Sequence, residues 1–264
     1  MRKSVTKILN GYLGKGIVMP KFFTSAKNIK DDILIIESED AKHIKKVLRL
    51  NENDIITVCD GQGTDYSAKI TQINSNEVVC SILESKKCDT EPEINVTLYQ
   101  GLPKASKMDY IIQKTTELGI SRIVPVSLSR CVVKIENDSA EKKKIERWRK
   151  IAYEAAKQSG RGIVPQIDEI MTIDEVIADL KQCDMSFVPY ECEQLTRLKT
   201  VIETKQDIKN IGFVIGPEGG FDITETEKLK AAGVQTVTLG KRILRTETAG
   251  EAVLAMVMYA LDEI

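Results

Sequence analysis

The sequence predicts an α/β chain in which a small β-rich domain precedes a mostly parallel sheet covered by helices. Three observations carry this prediction. From residue 94 onward, short apolar runs alternate with amphipathic stretches, the texture of a parallel sheet buried on both faces. Between 54 and 84, three runs rich in Val, Ile and Thr alternate with turn signals. The segment between them, ESKKCDTEPE (84–93), is polar, charged and contains a proline, as linkers do. With 264 residues the chain has room for one large domain or two modest ones.

The front domain opens with a helical stretch at about 40–49, AKHIKKVLRL, and continues through DIITVCDGQG, TDYSAKITQI and NEVVCSIL. DGQG supplies turn chemistry between strands. In the second domain INVTLYQG (94–101) predicts a strand. KMDYIIQKTTELG (107–119) predicts a helix with Met108, Ile111, Ile112, Thr115 and Leu118 near one face and Gly119 as its stop. SRIVPVSL (121–128) reads as a strand. A long helix follows at about 139–159, opened by a serine near Glu141 and lined by Ile145, Trp148, Ile151, Ala152 and Ala155. MTIDEVIADL reads as a helix, MSFVPYE as a strand end, IGFVIG as a buried strand and ITETEKLKAAG as a helix. VQTVTLG reads as the last strand and TAGEAVLAMVMYALDE as the last helix, whose apolar circumference predicts burial on several sides.

Composition narrows the function classes. The chain is 42% hydrophobic and 29% charged, with no apolar run long enough to span a bilayer. Its basic start, MRKSVTKILNGYLGKGIV, is a poor secretory signal, and Met19 in MPKFF reads as a natural start, so residues 1–18 are expected to be an extension. Six cysteines are scattered without a CxxC pair, which suits reduced thiols in a cytoplasmic protein. The single histidine, His43, argues against zinc ligation and against a nucleophile–histidine hydrolase. Net charge is −1, but residues 1–161 carry 28 basic against 21 acidic side chains and residues 162–264 carry 10 against 18. That split fits a chain that attracts nucleic acid with its front half; lysines solubilising an acidic protein would produce the same split.

Two loops concentrate the chemistry. IGPEGGF (215–221) places glycines just past the carboxyl end of a buried strand, where open α/β sheets bind ligands. Glycine allows a backbone to approach a ligand, and Pro217 stiffens the turn. Neither a GxGxxG dinucleotide fingerprint nor a phosphate-binding GxxxxGK[ST] loop is present. LGKRILRTETAGEA (239–252) repeats the arrangement, with Thr246 or Thr248 as a helix cap and Arg242 and Arg245 in need of partners. Each loop could be a plain tight turn, or the two could wall one pocket.

The set QGLPKASKMDYIIQKTTELG, RCVVK, RWRKIAYEAAKQSGR, IGPEGGF and LGKRILRTETA, in this order, resembles the RsmE family of 16S rRNA uridine-N3 methyltransferases, of the SPOUT superfamily. MPKFF and HIKKVLR extend the likeness to essentially all of 19–264. The resemblance implies a PUA-like RNA-binding β-barrel over 19–84, a linker at 85–93, and a SPOUT methyltransferase domain over 94–264. That domain would be an α/β fold with a mostly parallel sheet and a C-terminal trefoil knot. S-adenosyl-L-methionine would be the cofactor, 16S rRNA in the small ribosomal subunit the substrate, and a second copy of the chain the partner through the knotted domains. Neither a metal nor a membrane is implied. The cofactor would sit against Tyr190, Gly216, Pro217, Gly219, Gly220, Leu239, Gly240, Leu244, Arg245 and Thr248.

Uridine N3 keeps its proton at neutral pH, so methylation there needs the proton removed or the resulting anion stabilised. Arg245 is the residue expected to stabilise charge on the ring oxygens. Glu247 and Glu218 are the candidate bases; as rivals to that role, each could simply brace its loop. RNA contacts are expected from Lys21, Lys42, His43, Lys45, Lys46 and Arg49 in front, and from Lys104, Lys107, Lys114, Arg130, Lys134 and Arg161 behind. Few aromatics argue for a folded ribosomal surface rather than free single strands. Two alternatives remain open on sequence: a noncatalytic ribosome-assembly factor with this fold, and a small-molecule enzyme using the glycine loops.

Overall fold

A computed structural model describes residues 21–133, 138–205 and 207–264. The expected extension 1–18, the Met19 start and Lys134 lie outside the described residues. The chain forms two compact units that divide between Asp89 and Thr90.

In the first unit a six-stranded sheet has the order β1-β4-β5-β6-β3-β2. Its strands are β1 (Lys21–Phe23), β2 (Ile29–Lys30), β3 (Ile33–Glu37), β4 (Ile55–Cys59), β5 (Thr64–Ile73) and β6 (Glu77–Lys87). β1 runs parallel to β4 and every other pair is antiparallel. Alternation along each strand sends Phe22, Leu34, Ile36, Val58, Ile70 and Val78 into one core, together with Ile44. The DGQG turn forms as its residues dictate, with Asp60 Oδ1 accepting from the amides of Gln62 at 2.8 Å and Thr64 at 3.0 Å. The expected helix at 40–49 is α1 (Ser38–Lys42) running on as a wider π turn, His43–Leu48, which Arg49 ends in the left-handed region at φ 53°. The strands before it escaped the sequence reading, although ILIIE alternates buried and open positions as a half-buried strand does.

The second unit is a parallel sheet in the order β10-β8-β7-β12-β11-β13, with β9 also pairing β8. Its strands are β7 (Asn95–Gly101), β8 (Arg122–Ser127), β9 (Gln166–Ile167), β10 (Met171–Thr172), β11 (Met185–Pro189), β12 (Asn210–Ile215) and β13 (Gln235–Val237). The helices are α2 (Lys107–Glu117), α3 (Asp138–Gln158), α4 (Ile173–Leu180), α5 (Leu198–Glu203), α6 (Ile223–Ala231) and α7 (Thr246–Ala260). Neighbouring strand residues point to opposite faces. Leu98 and Phe213 pack with Ile112, Trp148, Val201 and Val253 of α2, α3, α5 and α7, whereas Tyr99 and Val214 pack with Val176 and Leu229 of α4 and α6. Phe187 and Phe213 stack across β11 and β12 with ring centroids 5.9 Å apart.

Three local readings differ from the sequence expectation. The stretch 85–93 is divided: Ser85–Lys87 finish β6, while Glu91 receives the amides of Gly162 and Ile163 and pairs with Arg161 at 2.6 Å. MTIDEVIADL begins as strand β10, and Thr172 then forms a capping box with Glu175 that starts α4. The last helix begins at Thr246, with Arg245 as its N-cap and no side-chain cap bond. Neither threonine caps it, because the Thr246 hydroxyl is spent on another loop.

Candidate functional site

β7, β12, β11 and β13 all end at the same edge of the sheet, and the loops after them build one cleft of about 910 Å³. The 215–221 loop supplies one wall. Segments 189–197 and 238–246 supply the others, and Lys107 at the start of α2 closes a side. The two glycine loops of the sequence therefore do meet.

Each wall is fixed by the local sequence. At the end of β7, a Cβ on residue 101 would lie 2.7 Å from Pro217, so glycine at 101 is what lets the proline loop pack there. Gly220 takes φ +67°, which turns the chain from β12 towards α6 at no steric cost. Asp222 then caps α6 and forms a capping box with the buried Glu225, whose other oxygen receives the Ser129 amide and hydroxyl at 2.7 and 2.9 Å. On the second wall, Glu193 accepts from the amides of Leu195 and Thr196 and from the Thr236 hydroxyl. Those donors push its carboxyl down to about 2. Thr238 forms a parallel bridge with Arg197, which ties the second wall to the third.

Behind the cleft, Gln100 at the end of β7 is fully buried and donates to the Thr246 hydroxyl at 2.9 Å; that hydroxyl donates to the Gly216 carbonyl at 2.6 Å. At the mouth, Lys107 lies 3.0 Å from Glu218 and 3.1 Å from Glu247. Burial raises the Glu218 carboxyl, but its own backbone amide, Lys107 and the Lys104 amide outweigh that and hold it below the ordinary range. Arg242 and Arg245 are exposed and form no ion pair among the described residues. Ile243 between them is 84% exposed, and Leu195 on the facing segment is 90% exposed.

Of the residues expected at the cofactor, Tyr190, Gly216, Pro217, Gly220, Leu239, Gly240, Leu244 and Arg245 line the cleft. Gly219 packs instead against Arg130, which donates to its carbonyl at 3.1 Å, and Thr248 is exposed outside the lining. The sequence reading did not select Gln194, Arg197 or Thr246, which do line it. Arg197 follows a β11 strand end already singled out at Tyr190, and that position was the only signal for it.

The expected RNA residues divide. Lys42, Lys45, Lys46 and Arg49 are exposed on α1 and the π turn, with Lys42 paired to Glu39 at 2.8 Å and His43 set edge-on to Phe22. Lys104 is exposed, Lys114 is paired with Glu117 at 2.9 Å, and Arg130 reaches the 215–221 loop. Lys21 and Arg161 are buried, at 8% and 4% exposure, because each is locked by a carboxylate: Asp65 at 2.9 Å and Glu91 at 2.6 Å. Among the described residues no helix is long and apolar enough to cross a membrane.

A ligand cleft at the carboxyl ends of a parallel sheet, in a chain that also carries a separate small β unit, defines a two-domain α/β protein whose second domain carries the site. Family models agree on both parts. Residues 90–258 match an RNA methyltransferase domain and residues 36–83 an RNA methyltransferase PUA domain. Ribosomal RNA small subunit methyltransferase E from Bacillus subtilis (strain 168) is 35% identical over 231 residues, covering 86% of this chain and 90% of the relative. Its namesake from Mesomycoplasma hyopneumoniae (strain 232) is 32% identical, covering 88% and 95%. A crystal structure of ribosomal RNA small subunit methyltransferase E from Neisseria gonorrhoeae bound to S-adenosyl methionine superposes with a TM-score of 0.81 at 31% identity, covering 91% of this chain and 97% of that one. The chain belongs to the ribosomal RNA small subunit methyltransferase E family. It is an RNA methyltransferase with an N-terminal PUA-like domain.

Proposed function

We propose that the protein transfers a methyl group from S-adenosyl-L-methionine to N3 of one uridine of 16S rRNA within the small ribosomal subunit, in the cytoplasm. The observation that carries this reading is the shared cleft of the two glycine loops. Its lining suits that cofactor. Ile215, Leu239 and Leu244 offer aliphatic surface for an adenosyl group, Gly216, Gly220 and Gly240 expose backbone, and Glu191 and Glu193 favour the positive charge of the sulfonium and ammonium groups. Its volume lies within the ordinary range for small-molecule sites. Tyr190, Pro217 and Arg245 complete that wall, whereas Gly219 and Thr248 lie outside the lining.

When bound, S-adenosyl-L-methionine supplies an electrophilic methyl group on a sulfonium. The chain's own residues do the rest. The Arg245 guanidinium, which lines the cleft and has no ion pair among the described residues, would face the uracil oxygens and stabilise the negative charge that builds there as N3 gives up its proton. The fixed walls hold the base in line, the larger part of what orientation can contribute. Glu218, which lines the cleft, and Glu247, which shares its contact with Lys107, are the candidate acceptors of the N3 proton. Their shared contact with Lys107 favours loop bracing, and we assign the proton to solvent. Lys42, Lys45, Lys46 and Arg49, with His43 beside them, meet phosphates from the front unit, and Lys104, Lys114 and Arg130 do so from the second. Lys21 and Arg161, buried and ion-paired, have no part in this reading.

The same reading includes a C-terminal trefoil knot in which the 215–221 and 239–252 loops are neighbours, and a homodimer through this domain. In its favour, α7 shows Met256 and Tyr259 to solvent although it also buries a full apolar face. Titration of the protein with S-adenosyl-L-methionine in a calorimeter tests the cofactor assignment: saturable binding of one molecule per chain supports it, and no heat at millimolar cofactor refutes it.

A further inference from the structure

Lys107 was expected to contact phosphate, yet its ammonium is already engaged. It touches Glu218 of the 215–221 loop at 3.0 Å and Glu247 of the 239–247 segment at 3.1 Å. Glu218 belongs to a wall of the cleft and Glu247 to the first turn of α7, just past the 238–246 wall, 29 positions apart in sequence. Glu218 is held twice from the same helix start, because the Lys104 amide also donates to both its oxygens, at 3.1 and 3.3 Å. Among the described residues, Glu247 Oε2 is buried and has no partner other than this ion contact, so removing the lysine takes away the counter-charge seen there.

The anchor itself is rigid. Lys107 is the first residue of α2, whose Met108, Ile111 and Ile112 are buried in the main core, and α2 packs against both α3 and α7. A helix N-terminus also favours nearby carboxylates. By contrast Arg197, Lys241, Arg242 and Arg245 also line the cleft, are exposed and have no ion pair among the described residues, so they remain available to a polyanion.

We propose that Lys107 is a positioning residue: its ammonium clamps the 215–221 loop to the start of α7 through Glu218 and Glu247, and so sets the width of the cleft. The clamp rests on the methyltransferase reading for its purpose, but its geometry stands without it. Glu218 and Glu247 then serve as the two jaws of the clamp, and Lys107 makes no contribution to RNA affinity of its own.

The test is amide hydrogen exchange of the full-length, ligand-free protein, comparing wild type with Lys107→Met, Lys107→Arg and the shape-preserving Glu247→Gln. The clamp predicts that Lys107→Met speeds exchange roughly 3- to 10-fold in both 216–221 and 239–248, while β7 and β12 stay unchanged. Lys107→Arg restores most of the protection, and Glu247→Gln reproduces the effect if Lys107→Met fails to fold. A parallel titration should then show weaker S-adenosyl-L-methionine binding in Lys107→Met, with a raised KM and a smaller change in kcat. Unchanged exchange in either loop overturns the clamp, as does a variant whose only defect is in salt-dependent RNA binding. A wild type that binds no S-adenosyl-L-methionine sinks the methyltransferase reading instead, and the exchange comparison still decides the clamp.

Discussion

The Thr246 hydroxyl donates a 2.6 Å hydrogen bond to the carbonyl of Gly216, thirty residues earlier in the chain. One bond thus joins the first residue of the last helix to the glycine loop after β12, and the buried Gln100 amide holds the hydroxyl in place from behind. Sequence reasoning assigned threonine here to helix capping, a local task. The structure gives it a long-range one.

Thr246→Val keeps the shape but leaves the Gly216 carbonyl and the Gln100 amide without that partner. An unsatisfied buried group costs about 1–3 kcal/mol. Thermal melts should show a midpoint lowered by roughly 2–4 °C for each kcal/mol lost. Thr246→Ser keeps the hydroxyl and should melt close to wild type.

Arg245 is the residue assigned to stabilise charge on the uracil ring. Arg245→Ala should lower kcat by roughly 100- to 1000-fold, the effect of removing one preorganised donor. Its cofactor affinity should fall far less, because most of the cleft lining is unaltered. Single-turnover transfer rates alongside calorimetric titration separate the two. Equal losses in both would make Arg245 a cofactor ligand alone.

Glu193 gives a pH dependence with a definite sign. Its folded-state carboxyl is pushed down to about 2 by the amides of Thr196 and Leu195 and by the Thr236 hydroxyl. A depressed carboxyl contributes stability that is fully present above its ordinary value, about 4.3, and is lost as pH falls towards 2. Exchange at 190–197 should therefore accelerate over that window. Glu193→Gln should show the acid-state exchange at neutral pH and lose this pH dependence.

Arg161 and Glu91 form a buried pair that ties the start of the second unit to the end of α3. Arg161 also donates to the Ile120 and Thr116 carbonyls, at 2.6 and 3.2 Å. Burial raises the Glu91 carboxyl, but Arg161 and the amides of Gly162 and Ile163 more than reverse this. The pair's stabilisation is present at neutral pH and fades as acid protonates Glu91. Arg161→Met should cost about 3–5 kcal/mol in denaturant unfolding, as breaking one side of a buried pair does. The salt slope of rRNA binding should not change; a shallower slope would make Arg161 a phosphate contact.

Much of this was legible in the sequence because it rests on local pattern. Apolar runs such as IGFVIG and VQTVTL mark strands of a parallel sheet, and glycines past their ends mark the cleft. The short helix α5 was not legible: LKTVIE is too brief to show a helical period, and its burial against the core decides it. Lys21, Lys107 and Arg161 read alike as surface cations, since no sequence pattern reports that a carboxylate 44, 70 or 111 positions away will lock each one. Long-range pairing decides which charges remain for a partner. That information appears only once the sheet has brought the loops together.

The most direct test of the central claim is to incubate the protein and S-adenosyl-L-methionine with small ribosomal subunits that lack the modification, then map the methylated base. N3 lies on the pairing edge of uracil, so a methyl group there halts reverse transcriptase one position before it. A single new stop at one uridine of 16S rRNA, dependent on cofactor and absent with Arg245→Ala, is the predicted result. Methyl transfer without such a stop, or transfer to free rRNA as readily as to subunits, would contradict it.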